Sequence, residues 1–174
     1  ELAPRVGRPG ALQFIRHVVV HTDPRAALEA VPAPASLNDG LARLNRVSRP
    51  GSQVFLVGDF ASIDDQSSRL ILRLRRHNDV VALQVVDPLE LAPPPPARYG
   101  VAVGAERGVL DLRSGAARQA YQAHFDAHRR AVDDVMRRNG VPLARLATDR
   151  DIGQQMRRIL AGGGAHSTLE RLAA

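Results

Sequence analysis

Three carboxylates follow apolar runs in this chain. Asp59 comes after QVFLVG, Asp87 after VVALQVV and Asp149 after VPLARLAT. Each is placed where a strand gives way to a loop. Acids gathered beyond the carboxyl ends of parallel strands can hold a hard cation such as Mg2+, which takes oxygen ligands and binds in that crevice. The same residue type also accepts from the free N–H groups at the start of a helix. For Asp87 and Asp149 the capping role is the expectation. Asp59 stays open between ligand, catalytic acid and turn residue.

Two histidine pairs, His17/His21 and His124/His128, have the i, i+4 spacing that can chelate zinc on a helix. Neither carries the glutamate of H-E-x-x-H, and chance spacing is the simpler reading. The chain has no cysteine, which excludes disulfides, thiolate nucleophiles and cysteine-ligated zinc. It has no lysine, which excludes a Walker A phosphate loop and Schiff-base chemistry. No G-x-S-x-G elbow occurs, and AGGGA follows a helix rather than a strand, so it is not a dinucleotide fingerprint. The net charge is +6. The arginines are spread along the chain among acids, and aromatics are 3% of residues. That pattern argues against nucleic acid as the partner. The Arg75/Arg76, Arg129/Arg130, Arg137/Arg138 and Arg157/Arg158 pairs read as solvated helix faces.

The elements that must position these residues follow from periodicity and punctuation. Residues 10–22 read as a helix with Leu12, Ile15, Val18 and Val19 on one face. A short helical turn is expected at 25–30. Ser36 caps a helix over 37–47 with a Leu37, Leu41, Leu44 stripe. The continuously apolar run at 53–57 predicts a central, parallel strand. A helix over 64–77 turns Ser67, Leu70, Ile71 and Leu74 inward. A second buried strand covers 80–86, and the prolines after Asp87 predict an extended polyproline segment. A hairpin pairs 99–103 with 109–112. Ser114 caps a long helix over 116–138, ended by Asn139-Gly140. A third strand precedes Asp149, and Asp149 or Asp151 caps the last helix, which runs to residue 160. Strands alternating with helices imply an α/β fold, a mostly parallel sheet with helices on both faces and a β-hairpin insertion.

The chain has 174 residues, enough for one domain with a real core. We assign the domain to 1–161 and a flexible C-terminal tail to 162–174. No run reaches the length of a membrane span, and the first residues, ELAPRVGRPG, do not resemble a signal peptide. A cytoplasmic location is the expectation.

SLNDGLARLNRVSRPGSQVFLVGDF, LRRHNDVVALQVVDPLE, the hairpin, the long helix and GVPLARLATDRD, in this order and spacing, resemble the bacterial domain-of-unknown-function family 58. ELAPRVGRPGALQFI is similar to the segment that precedes them in that family. The resemblance implies a von Willebrand factor A-like, Rossmann-like domain, here lacking its first strands. Such domains carry a metal-ion-dependent adhesion site. It is built from a D-x-S-x-S loop, a Thr from a second loop and an Asp after a later strand. Asp59 occupies the position of that last Asp, and Ser36 stands near the Thr. The D-x-S-x-S element is missing, so the site is degenerate, with Mg2+ as its implied ion.

The resemblance also implies a partner, a MoxR-type AAA+ ATPase, in assembly or remodelling of other proteins, with no catalysis by the domain itself. With the first strand missing, the edge of Gln53–Val57 would be bare. A bare apolar edge seeks pairing in a homodimer or cover from the N-terminal helix. The rival reading is a small magnesium-dependent α/β enzyme using the strand-end aspartates.

Overall fold

In the first helix, α1 (Gly7–His21), Pro9 lies in the first turn, where its missing N–H costs nothing. α1 begins three residues before the expected start. The computed structural model describes residues 7–21, 36–103 and 106–160. The turn expected at 25–30 and the tail from 162 lie outside the described residues. The chain divides into two compact units. One holds α1 with Ala102–Arg107, and the other holds Ser36–Val101 and the chain from Gly108 onward.

In the larger unit, α2 (Leu37–Val47) starts where Ser36 Oγ accepts from Asn38 N–H at 3.2 Å. Strand β1 (Gln53–Gly58) follows, then α3 (Asp65–Arg75), capped by Asp64. Strand β2 (Asp79–Val86) leads into the one-turn helix α4 (Pro88–Leu91). The hairpin strands are β3 (Arg98–Val103) and β4 (Glu106–Asp111), of which Ala102, Val103, Glu106 and Arg107 belong to the smaller unit. The long helix α5 (Gly115–Arg138) is capped by Ser114, whose Oγ accepts from Ala117 N–H at 3.1 Å. Gly140 then turns the chain with φ +63°, a left-handed conformation glycine adopts freely. Strand β5 (Leu143–Ala147) and α6 (Ile152–Leu160) complete the order.

The sheet runs β1-β2-β5, and both pairings are parallel. Gln53 lies opposite Asp79, and Ala82 opposite Leu143. The strands advance in one direction across the sheet. Right-handed crossovers through α3 and α5 therefore put both helices on the same face. That face holds the main core: Val54 and Leu56, Val80 and Ala82, Leu41 of α2, Ile71 and Leu74 of α3, and Val132, Val135 and Met136 of α5. The second face is covered from α6, where Met156 and Ile159 pack on Val81, Leu83 and Leu146. The expected α/β architecture, with helices on both faces and a separate hairpin, is what the chain forms.

Several local expectations need correction. Among the described residues β1 is parallel but is an edge strand, not a central one. Its burial alternates, with Val54 and Leu56 inside and Phe55 and Val57 out. The apolar run reflects a second face that α6 does not cover at β1. The polyproline segment begins with a helical turn, because Asp87 accepts from Leu89 N–H and Pro88 is preset for the first helical position. The hairpin ladder starts nearer its turn than the apolar residues suggest. Of the two caps expected for α6, Asp151 is the one that forms, accepting from Gln154 N–H at 2.6 Å.

Candidate functional site at the carboxyl ends of the strands

β1 delivers Asp59 to the carboxyl end of the sheet. There its Oδ1 accepts from Ala61 N–H at 3.0 Å and closes a side-chain turn. The next residue, Phe60, has φ +58°, the left-handed region that a bulky side chain rarely enters. Phe60 is 4% exposed and belongs to the main core. Burial of its ring holds the strained backbone in place. Ile63 N–H closes the loop onto Phe60 C=O at 3.0 Å.

The Asp59 carbonyl is held as well. His128 Nε2 lies 3.0 Å from it, and Gln84 Nε2 donates to it at 3.5 Å. A carbonyl only accepts, so His128 Nε2 carries the proton and has no lone pair for a metal in this arrangement. Gln84 is fully buried on the central strand. Its Oε1 accepts from Arg145 Nε at 3.0 Å, and Arg145 Nη2 pairs with Asp133 at 2.7 Å. A relay of polar groups therefore runs from the Asp59 loop across β2 and β5 to α5. The Asp59 carboxylate itself is exposed, and its second oxygen has no partner among the described residues.

The first turns of α2 and α3 meet beside this loop. Asn38 Nδ2 donates to both carboxylate oxygens of Asp64, and Ser67 Oγ donates to Asn38 Oδ1 at 2.7 Å. Asp64 Oδ1 accepts from Ser67 N–H at 2.7 Å, while Asp64 N–H returns to Ser67 Oγ at 3.3 Å, a reciprocal cap. The Ser67 N–H bond is the largest influence holding the Asp64 carboxyl below its ordinary pKa, and the Ser67 hydroxyl and Asn38 amide add to it. Ser67 is fully buried. Nothing in the spacing singles out Asn38. The signal that points to the cluster is Asp64-x-x-Ser67 ahead of an apolar run, although the expected helix takes Asp64 as its first residue.

At the next strand end, Asp87 caps α4 and takes the Thr148 hydroxyl at 3.4 Å. Tyr121 of α5 donates to Leu89 C=O at 2.9 Å. Burial, and then the charges of Asp87 and Glu90, push its phenol pKa up. Asp149 is exposed, with Arg150 4.0 Å away. His124 packs edge-on against Phe125, at 5.2 Å between ring centres.

Of the expected ligands, Asp59 and Ser36 each serve their own backbone, and no hydrogen bond joins them. Among the described residues, no three His, Asp or Glu side chains gather as a metal would require. The fit to a complete divalent site is therefore poor. A cation would have only the free oxygen of Asp59, with water filling its remaining positions. Arg129, Arg137 and Arg145 pair with Asp126, Asp134 and Asp133.

A family model described as "Protein of unknown function DUF58" matches residues 2–131, more than half of the chain. The chain belongs to the DUF58 family. The DUF58 match takes in the Asp59 loop, Asn38, Asp64, Ser67, Asp87 and the hairpin, and ends inside α5. No curated protein and no solved structure matches the chain. No helix among the described residues is long and apolar enough to cross a membrane.

Proposed function

We propose that this DUF58 chain is a non-catalytic, cytoplasmic protein-interaction module. Its partner is a MoxR-type AAA+ ATPase engaged in assembly or remodelling of other proteins. The fold is read as von Willebrand A-like. The β1-β2-β5 order with α3 and α5 on one face supports that reading.

The observation that carries the proposal is the Asp59 loop. One carboxylate oxygen is spent on the loop, the backbone is locked by buried Phe60, and the other oxygen is presented outward. A rigidly displayed acid suits docking, because little side-chain or loop freedom is lost on contact. Mg2+ at this one oxygen, its other positions filled by water, is the accessory element of the proposal.

The test pairs this chain with a MoxR-type ATPase encoded beside it, with and without Mg2+. Binding that weakens at least tenfold in Asp59→Ala is expected, and calorimetry with Mg2+ or Mn2+ alone reports the ion's share. Equal binding by Asp59→Ala and the parent chain overturns the role of the loop. Mg2+-dependent phosphate-ester hydrolysis that Asp59→Ala abolishes would favour the enzyme reading instead.

A further inference from the structure

A cleft of about 330 Å³ opens on the β5 side of the sheet, the side away from β1. Asp126, Arg129, Arg130 and Asp133 of α5 line it, with Leu91 of α4 and Arg145 of β5. The α5 residues follow the spacing i, i+3, i+4, i+7, which is one face of a helix. Three guanidinium groups and two carboxylates share the opening, and one positive charge is left over.

Two of the arginines are already aimed. The Arg129 side chain is 19% exposed, and its guanidinium donates to Glu90 C=O and to the Asp126 carboxylate. Arg145 Nε donates to Gln84 Oε1 at 3.0 Å and its Nη2 to Asp133 at 2.7 Å. Its Nη1 has no partner among the described residues. Arg130 is exposed and makes no hydrogen bond or ion pair among the described residues. The strand that carries Arg145 is pinned as well. Gln155 Oε1 of α6 accepts from Ala147 N–H and its Nε2 donates to Ala147 C=O, both at 2.9 Å.

The anchor of Arg145 is a costly one. Gln84 is fully buried in the otherwise apolar run from Val80 to Val86. An apolar side chain there would pack without needing partners. The core does not need a guanidinium held in one orientation. A ligand gains from it, because less freedom is lost on binding.

We propose that this cleft binds a single carboxylate between Arg130 and Arg145 Nη1, with Leu91 against the carbon atoms that bear it. The planar fork of a guanidinium matches a carboxylate. The surplus of one charge suits a monoanion. A phosphate dianion would bring its second charge against Asp126 and Asp133, so the carboxylate is the better fit.

The inference does not rest on the ATPase reading, and its test uses the full chain without the ATPase. Acetate titrated against the arginine Nε–H resonances should give shifts at Arg130 and Arg145 that saturate in the millimolar range. Arg130→Gln should weaken this binding at least tenfold. Arg69→Gln, the same change of charge at an exposed position of α3, should leave it unchanged. Gln84→Met, which releases Arg145 Nε and keeps the volume, should also weaken it. Shifts that never saturate, an equal loss in Arg69→Gln, or tighter binding of inorganic phosphate than of acetate would each overturn the proposal.

A capped Gly-Glu-Gly peptide separates two sources of the carboxylate. Peptide binding at least tenfold tighter than that of acetate assigns it to an acidic side chain of a protein. Equal binding, lost in Arg130→Gln, assigns it to a free small acid.

Discussion

The Asn38 amide donates to both carboxylate oxygens of Asp64, at 3.2 and 3.1 Å, and so ties the first turn of α2 to the cap of α3. Bonds of this kind are made by the ionised carboxylate. The folded-state pKa of Asp64 is lowered from 3.8, so its contribution to stability is present above that value and is lost as pH falls through the lower, folded value. Asp111, held down to about 2 by the Arg113 side chain, acts in the same direction. Thermal midpoints followed into acid should fall for the parent chain. In Asp64→Asn they should start lower and fall less. A parallel decline in both proteins would remove Asp64 as the source.

Phe60 offers a test of strain against burial. At ordinary φ, glycine is less stable than alanine by about 0.5–1 kcal/mol. At φ +58° the order should reverse by about 1 kcal/mol, because alanine still carries the left-handed penalty. Both replacements lose the buried ring, at about 3–5 kcal/mol. Urea unfolding of Phe60→Gly and Phe60→Ala should rank the glycine variant as the more stable of the two.

Gln84 lies inside an apolar strand and bridges Arg145 to the Asp59 carbonyl. Gln84→Met keeps the volume, leaves the carbonyl its His128 partner and leaves Arg145 paired with Asp133. The expected cost is about 1 kcal/mol. Gln84→Ala, which opens a cavity at a fully buried position, should cost clearly more. Denaturation midpoints compare the two directly.

Gln155→Ala removes both bonds to Ala147 and should cost about 1–2 kcal/mol. Hydrogen exchange at the Ala147 amide should accelerate beyond what that global loss explains, since this N–H would then face solvent.

Much of the fold was legible locally. Ser36 and Ser114 each announced a helix by residue type and position, and each caps the helix it precedes, whereas Asp64, expected as the first residue of its helix, is the cap. The placement of β1 was not legible in this way. Val54 and Leu56 are inside and Phe55 and Val57 outside, yet all four are apolar, so the run reads the same for a central strand and a half-covered edge. The candidate site was legible only at Asp59. Asn38 and Ser67 sit in first turns as ordinary polar residues, and their union depends on how α2 and α3 pack. Gln84 did leave a mark, because a lone amide in VVALQVV must find partners once buried. Nothing local said that those partners would be Arg145 and the Asp59 carbonyl.

α5 grips the segment after β2 almost entirely by its main chain. Tyr121 reaches the Leu89 carbonyl, Gln122 that of Leu91, Arg129 that of Glu90 and Arg118 that of Pro94. Carbonyls are common to every residue type, so the helix reads the path of this segment and not its side chains. Substitutions among exposed Leu89, half-buried Glu90 and exposed Leu91 could then accumulate without moving the loop. The burden of keeping it in place falls on four positions of a helix that, in sequence, lies well downstream.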